Sequence, residues 1–258
     1  MHDIERPTGV LVTRPAAQAQ GLAALLRRHA MHPILFPVLE IEPVGETPVL
    51  QAKLQRLPEC DLAVFISSNA VVHGVRKVQQ VLGHWPPQVA VAAVGPATLK
   101  TLQNYGINVD IVPQGRFDTE GLLAHPALQR LGAKTVAIFR GRGGREKLAQ
   151  ELALRGAGIE YFEVYQRRLP HETDRSIFEK WAEQVNIVVC TSNNSLRNLL
   201  EIAGTKDSRL VLETPLLVVS TRMRQQATQL GFKRGITVAD SAADSAIVAA
   251  IQKWRQDQ

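Results

Sequence analysis

Three stretches of this chain return, in order, at a nearly constant distance, and that regularity narrows the possible folds more than anything else in the sequence. VFISSNAV (64–71) returns as VVCTSNNS (188–195), with Ser68 matching Ser192, 124 residues on. AVGPATLKTLQNYGI (93–107) returns as VVSTRMRQQATQLGF (218–232), with Val94 matching Val219 and Gly106 matching Gly231, 125 residues on. VLVTRPAAQAQGLAALLRRHAMHPILFP (10–37) returns as VAIFRGRGGREKLAQELALRGAGIEYFE (136–163), with Arg14 matching Arg140 and Leu22 matching Leu148, 126 residues on. One such match is within reach of chance, because strand–turn–helix units share a grammar. Three in register imply two similar domains.

Within each copy, short apolar runs alternate with longer helical patterns. The strand candidates are Gly9–Thr13, Ile34–Phe36, Leu62–Ile66, Val89–Val94, Val109–Val112, Thr135–Phe139, Ile159–Val164, Asn186–Cys190, Leu216–Val219 and Ile236–Val238. Several are unbroken Val, Ile, Leu and Ala, as in strands covered on both faces. Pro15, Pro48 and Pro96 suit first helical turns. Ser68 and Ser192 suit N-caps, and Gly106 and Gly231 suit helix ends. This alternation predicts an α/β fold of two similar open parallel-sheet domains.

Two stretches break the rhythm. HPILFPVLEIEPV (32–44) and IEYFEVYQRRLP (159–170) are too long for single strands, and prolines suit edges and linkers. They predict a discontinuous first domain (1–37 and 168–258), a second domain (42–163), and a two-stranded linker (38–41 and 164–167).

Composition closes off other classes. Of 258 residues 45% are apolar, enough for a substantial core. No run of 18 uncharged apolar residues predicts a membrane span, and the start MHDIERPTGVLVTRP has no apolar signal core; the expected location is cytoplasmic. Two cysteines, Cys60 and Cys190, give no disulfide framework and no zinc spacing, so no metal is expected. The net charge is +6, but the basic residues are scattered and aromatics make up only 5%. That argues against nucleic acid and fits a polyanionic small molecule.

In open parallel sheets, ligands bind beyond the carboxyl ends of the strands. Those ends read VTRP (12–15), ISSNA (66–70), VGPAT (94–98), FRGRGGR (139–145), CTSNNS (190–195) and VSTRMR (219–224). Each precedes a helix, whose free N–H groups and positive dipole end favour anions. Ser68, Asn69, Ser192 and Asn193 are therefore candidate ligand contacts, although each alone also reads as an ordinary cap. In the glycine loop, Gly141 and Gly143 match the start of G-x-G-x-x-G, but Glu146 occupies the third glycine position, and no G-K-[S/T] follows. No nucleotide cofactor is expected. The glycines still allow close backbone approach, and Arg140, Arg142 and Arg145 offer forks for carboxylates or simply solvated charge. No nucleophile–base set is visible, and His73, His84, His125 and His171 stand in no catalytic context. Tyr165 ends an extended segment, where its phenol either packs or donates into a cleft.

These motifs, taken together, resemble the uroporphyrinogen-III synthase family. The resemblance rests on VLVTRP, FISSNAV, AVGPAT followed by GI, FRGRGGREKLAQELALRGAGIEYFEVYQR, VVCTSNNSLRNLL and ADSAADSAIVAAI; R-G-x-G-G-R-x-x-L-x-x-x-L-x-x-R-G followed by V-Y-x-R is its most specific part. It implies two α/β domains joined by a two-stranded ladder. It also implies a linear tetrapyrrole substrate, hydroxymethylbilane, with eight carboxylates, and no cofactor. A transient encounter with the upstream hydroxymethylbilane synthase completes that expectation; the lack of a coiled-coil or zipper pattern in the sequence predicts a monomer. By this resemblance Tyr165 is the catalytic candidate. Ser67, Thr98 and Ser192 are cleft hydroxyls, alongside Arg14, Ser68, Asn69, Arg140, Gly141, Gly143, Asn193 and Thr221 as substrate contacts. Asn69 stands where relatives often carry arginine, and Met223 where they often carry threonine, with Thr221 or Arg222 as possible replacements. The rival reading is a non-catalytic two-lobed binding or sensor protein for a polyanion.

Overall fold

The computed structural model describes residues 7–144 and 146–258. The chain forms β1 (Thr8–Val12), α1 (Ala16–Arg28), β2 (Met31–Leu35), β3 (Glu40–Pro43), α2 (Pro48–Gln55), β4 (Leu62–Phe65) and α3 (Ser68–Leu82). It continues through β5 (Ala90–Ala93), α4 (Pro96–Asn104), α5 (Thr119–Leu123), β6 (Thr135–Gly141), α6 (Lys147–Leu154) and β7 (Gly158–Arg168). It ends with α7 (Trp181–Gln184), β8 (Ile187–Val189), α8 (Asn193–Leu212), β9 (Leu216–Val218), α9 (Thr221–Gln229), β10 (Ile236–Val238) and α10 (Asp244–Gln256). Two compact units result. Unit 1 takes residues up to Glu40 together with Arg168–Gln258, and unit 2 takes Ile41–Arg167.

Unit 1 holds the sheet β10-β9-β8-β1-β2, every neighbouring pair parallel. Alternate residues of one strand serve opposite layers. Val10 and Val12 pack with Leu22, Leu26, Ile247 and Ile251 of α1 and α10. Leu11 packs with Leu196, Leu199 and Ala227 of α8 and α9. Burial on both faces explains why these strands read as continuous apolar runs. β2 takes in Pro33, which pairs with Val10; the expected strand, Ile34–Phe36, starts too late. Proline is tolerated there because β2 is the edge strand, where its missing N–H breaks no ladder.

Unit 2 holds the sheet β3-β7-β6-β4-β5. β4, β5, β6 and β7 pair in parallel; β3 shares residues 40–41 with the first expected linker stretch (38–41), and β7 takes in the second (164–167). Phe65, Phe139 and Phe162 occupy matching positions on β4, β6 and β7 and stack at 4.5 and 4.7 Å between centroids. Val109–Val112, expected as a strand, contributes only one bridge, Ile111 to Ala92. The Asp110 carboxylate accepts the Val91 N–H at 2.8 Å, taking a donor that a strand's carbonyl would have used.

Helix ends repeat between the units. Gly106 and Gly231 each follow a helix with positive φ and donate back into its last turn, at 2.9 Å to Gln103 O and 3.1 Å to Thr228 O. Gly156 does the same after α6, but its counterpart after α1 is Ala30, with φ 54°. Among the described residues, no helix is long and apolar enough to cross a membrane.

Candidate functional site

Beyond the aromatic stack of unit 2, β4 ends at Phe65, while β6 continues to Gly141 and β7 to Arg168. After β4 comes Ser67, extended at φ −166°, ψ 160°, whose Oγ accepts the Ala70 N–H at 3.2 Å. Ser67 therefore caps α3. Ser68, expected as the cap, is already the first helical residue, and its hydroxyl cannot reach back to the free N–H groups. Ser68 and Asn69 are both half-buried at this helix start.

Tyr165 is brought to Ser67 by a β-bulge. Arg140 pairs with Glu163, yet Gly141 pairs with Tyr165, so Val164 is an extra residue on β7. Bulges re-aim side chains, and here Val164 and Tyr165 both join the core layer shared with α3. Tyr165 is 1% exposed. Its phenol lies 3.2 Å from Ser67 Oγ and accepts a hydrogen bond from Arg167 Nη2 at 3.1 Å. The Arg167 guanidinium also covers the ring, 5.4 Å from its centroid. His73, one helical turn beyond Asn69, stands 5.9 Å from the ring. Burial, with help from Arg76 and Lys77, lowers the His73 imidazole's pKa. Gly141 is required beneath the phenol, since a Cβ there would sit 2.6 Å from Tyr165 Cζ.

The glycine loop carries its own anion. Arg140 is 2% exposed, lies over the Tyr161 ring, and donates to Glu146 Oε1 at 2.9 Å. Tyr161 donates to the other Glu146 oxygen. The Tyr161 hydroxyl first, and the Arg140 guanidinium second, hold the Glu146 carboxyl below its usual range. Arg140, expected as a fork for carboxylates, is thus paired with Glu146, whose side chain is 51% exposed. Gly143 turns the loop with φ 69°, and a Cβ on Gly144 would strike the Arg140 guanidinium at 2.8 Å. Arg142 is exposed and reaches Gln166 at 3.4 Å. Arg145 lies outside the described residues.

Unit 1 presents the same kind of ends. Arg14 donates to Asp244 at 2.5 Å and to the Ala242 carbonyl, tying the turn after β1 to the start of α10. Like Arg140, it is paired with a carboxylate of its own unit. Ser192 caps α8 in a reciprocal pair with Ser195, at 3.0 and 3.1 Å. Asn193 follows it, with Oδ1 buried and unpartnered. Thr13 donates to the Val189 carbonyl at 2.7 Å beside Cys190, whose thiol burial pushes up to about 11. Ser220 caps α9 at 3.2 Å and leaves Thr221 exposed as the first helical residue. Met223 is buried, as is its counterpart Thr98 in unit 2.

The structure thus brings Ser67, Tyr165 and Gly141 together. It keeps Thr98 inside α4's packing and sets Ser192, Asn193 and Thr221 at helix starts in unit 1. Sequence reasoning passed over His73, although its spacing from Asn69 puts both on one helical face. Arg167 was visible only as the last letter of V-Y-x-R. Among the described residues, no group of three or more His, Cys, Asp or Glu side chains could hold a metal.

Residues 20–249 match the family model described as "Uroporphyrinogen-III synthase HemD". A "Uroporphyrinogen-III synthase" of Escherichia coli is 34% identical over 245 residues, 94% of this chain and 99% of that one. The fold is shared with a uroporphyrinogen III synthase of Thermus thermophilus, at 18% identity and TM-score 0.64, covering 97% of this chain and 100% of that one. It is also shared with a uroporphyrinogen-III synthetase of Helicobacter pylori, at 16% identity and TM-score 0.61, covering 96% and 100%.

Proposed function

As the chain belongs to the uroporphyrinogen-III synthase family, we propose that it cyclises hydroxymethylbilane to uroporphyrinogen III, inverting ring D and releasing water. Membership makes it an enzyme of a cyclising, lyase-type reaction in tetrapyrrole biosynthesis. The observation that carries the proposal is the family match over residues 20–249, which takes in the polar strand ends from ISSNA (66–70) to VSTRMR (219–224) and Tyr165. No comparison supports the rival reading of a binding protein without chemistry.

The reaction begins when ring A loses its hydroxyl as water, leaving an electrophilic azafulvene. Ring D attacks through its substituted carbon, and the spiro intermediate fragments and recloses with that ring inverted. Unaided closure gives the unflipped isomer, so the protein's first task is geometric. Holding the reacting ends in place is worth roughly 7–11 kcal/mol at best. The second task is to supply a proton to the leaving hydroxyl, typically about 10²–10⁴-fold in rate. Tyr165 is the proposed ultimate source of that proton, directly or through a neighbouring hydroxyl.

The substrate's carboxylates are proposed to engage the helix starts at Ser67–Asn69, Gly143, Ser192–Asn193 and Thr221. A carboxylate at an exposed helix start gains roughly 0.3–1 kcal/mol. Eight of them give about 4 kcal/mol, near millimolar affinity. Charge-assisted hydrogen bonds, at about 1.5–3 kcal/mol each, supply the remainder. Arg14 and Arg140 are assigned to holding the turns, since Asp244 and Glu146 already occupy them. The enzyme is proposed to act as a cytoplasmic monomer that meets the upstream hydroxymethylbilane synthase transiently.

The test generates hydroxymethylbilane in situ and analyses the oxidised products. With the protein present, uroporphyrin III should dominate, with no additive needed and no inhibition by a chelator. Mainly isomer I, with folded protein in excess, would overturn the proposal.

A further inference from the structure

Resting on that reading, we infer that Ser67, and not Tyr165, is the residue that hands the proton to the substrate's leaving hydroxyl, with Tyr165 reloading it from behind and Arg167 fixing the direction of transfer. Burial separates the two hydroxyls. Tyr165 is 1% exposed, whereas Ser67 is only half-buried, at the mouth of α3.

The hydrogen-bond inventory sets the direction. Among the described residues the phenol has two hydrogen-bond partners, Ser67 Oγ at 3.2 Å and Arg167 Nη2 at 3.1 Å. A guanidinium only donates, so the phenol oxygen accepts from Arg167. Its own proton then has one acceptor within reach, Ser67 Oγ. Leaving a buried O–H unmatched costs about 1–3 kcal/mol, which excludes the opposite orientation. Ser67 Oγ also accepts the Ala70 N–H at 3.2 Å. With both lone pairs occupied, the Ser67 O–H is free to donate outward to a ligand.

The step balances. The ring A hydroxyl takes the Ser67 proton and leaves as water with the C–O bonding pair, while the pyrrole nitrogen's electrons form an azafulvenium cation that keeps its N–H proton. Ser67 regains a proton from Tyr165, and the phenolate faces the Arg167 guanidinium. When the closing carbon of ring D sheds its proton to restore aromaticity, that proton returns by the same path. Ser67 is thus the catalytic residue. Tyr165 and Arg167 act through it, as reservoir and positioning residue.

The experiment is a double-mutant cycle on the rate of isomer III formation. Ser67→Gly removes the hydroxyl, and glycine keeps most of the value of an N-cap. Tyr165→Phe keeps the ring. Each should lower kcat by about 100-fold, and the double variant should fall no more than roughly threefold below the slower single one. Ser67→Thr, which keeps a hydroxyl at the cap, should recover most of the rate. The solvent deuterium isotope effect on kcat should shrink in both single variants, and a purely structural role would not move it. Unfolding midpoints close to wild type establish that the variants fold. Multiplicative losses, or full kcat in Ser67→Gly, would overturn the relay while wild-type protein still makes isomer III. Absence of isomer III with the wild-type protein would instead overturn the functional reading itself.

Discussion

A methyl group at position 141 would lie 2.6 Å from both Cε2 and Cζ of Tyr165, well inside van der Waals contact. The ring cannot retreat, because Phe162, Val164 and the α3 face pack around it. Gly141→Ala should therefore swing the phenol off Ser67. The expected result is at least a tenfold loss of isomer III formation, with a stability cost of about 1–3 kcal/mol, read by kinetics and urea unfolding. Wild-type kinetics in this variant would mean that the phenol's position does not matter. Nothing local marks this need in the sequence, where Gly141 reads as one glycine of a loop. The contact depends on a bulge in a strand that follows 20-odd residues later, and bulges leave no composition signal. The same limit moved the cap from Ser68 to Ser67. Two adjacent serines are equivalent in composition, and only backbone geometry decides which reaches Ala70.

At the scale of elements, the glycine loop and α6 behave as one electrostatic clasp. Glu146 accepts from Tyr161 and Arg140, and its carboxyl is held below its ordinary value of 4.5. A depressed folded-state value means that the stabilisation is complete above pH 4.5 and is lost as pH falls through the folded value. Glu146→Gln should lower the urea midpoint at neutral pH and flatten the decline below pH 4.5, so that the two curves converge in acid. Parallel curves would show that the clasp contributes nothing. The elements themselves were largely legible, because strands buried on both faces read as unbroken Val, Ile and Leu, and helices end at Gly106 and Gly231. What escaped was a matter of neighbours. Pro33 sits inside a strand because that strand is an edge, and Val109–Val112 forfeits strand pairing to a side-chain carboxylate. Neither circumstance is written in the local residues.

Across the whole molecule the duplication becomes an internal control. Caps Ser67 and Ser192, caps Gly95 and Ser220, and glycines Gly106 and Gly231 all stand 125 residues apart. Where the second copy closes α6 with Gly156 at φ 93°, the first closes α1 with Ala30 at φ 54°. A non-glycine residue in that region costs of order 1–2 kcal/mol. Ala30→Gly should raise stability by about 1 kcal/mol, after the entropy glycine loses on folding, with catalysis unchanged; a lower unfolding midpoint would contradict the assignment. The interleaving of the units also governs how the chain is made. Unit 2 is complete once Arg167 has been synthesised, but β1, an inner strand of its sheet, must wait for β8 at Ile187–Val189. At roughly 5–20 residues per second, the 150 or so residues from β2 to β8 take about 8–30 s. For that interval the nascent β1–β2 pair presents an open apolar edge at the ribosome, a template for mispairing with neighbouring chains. Yield during synthesis is therefore more sensitive to translation speed and to chaperones than refolding of the finished chain.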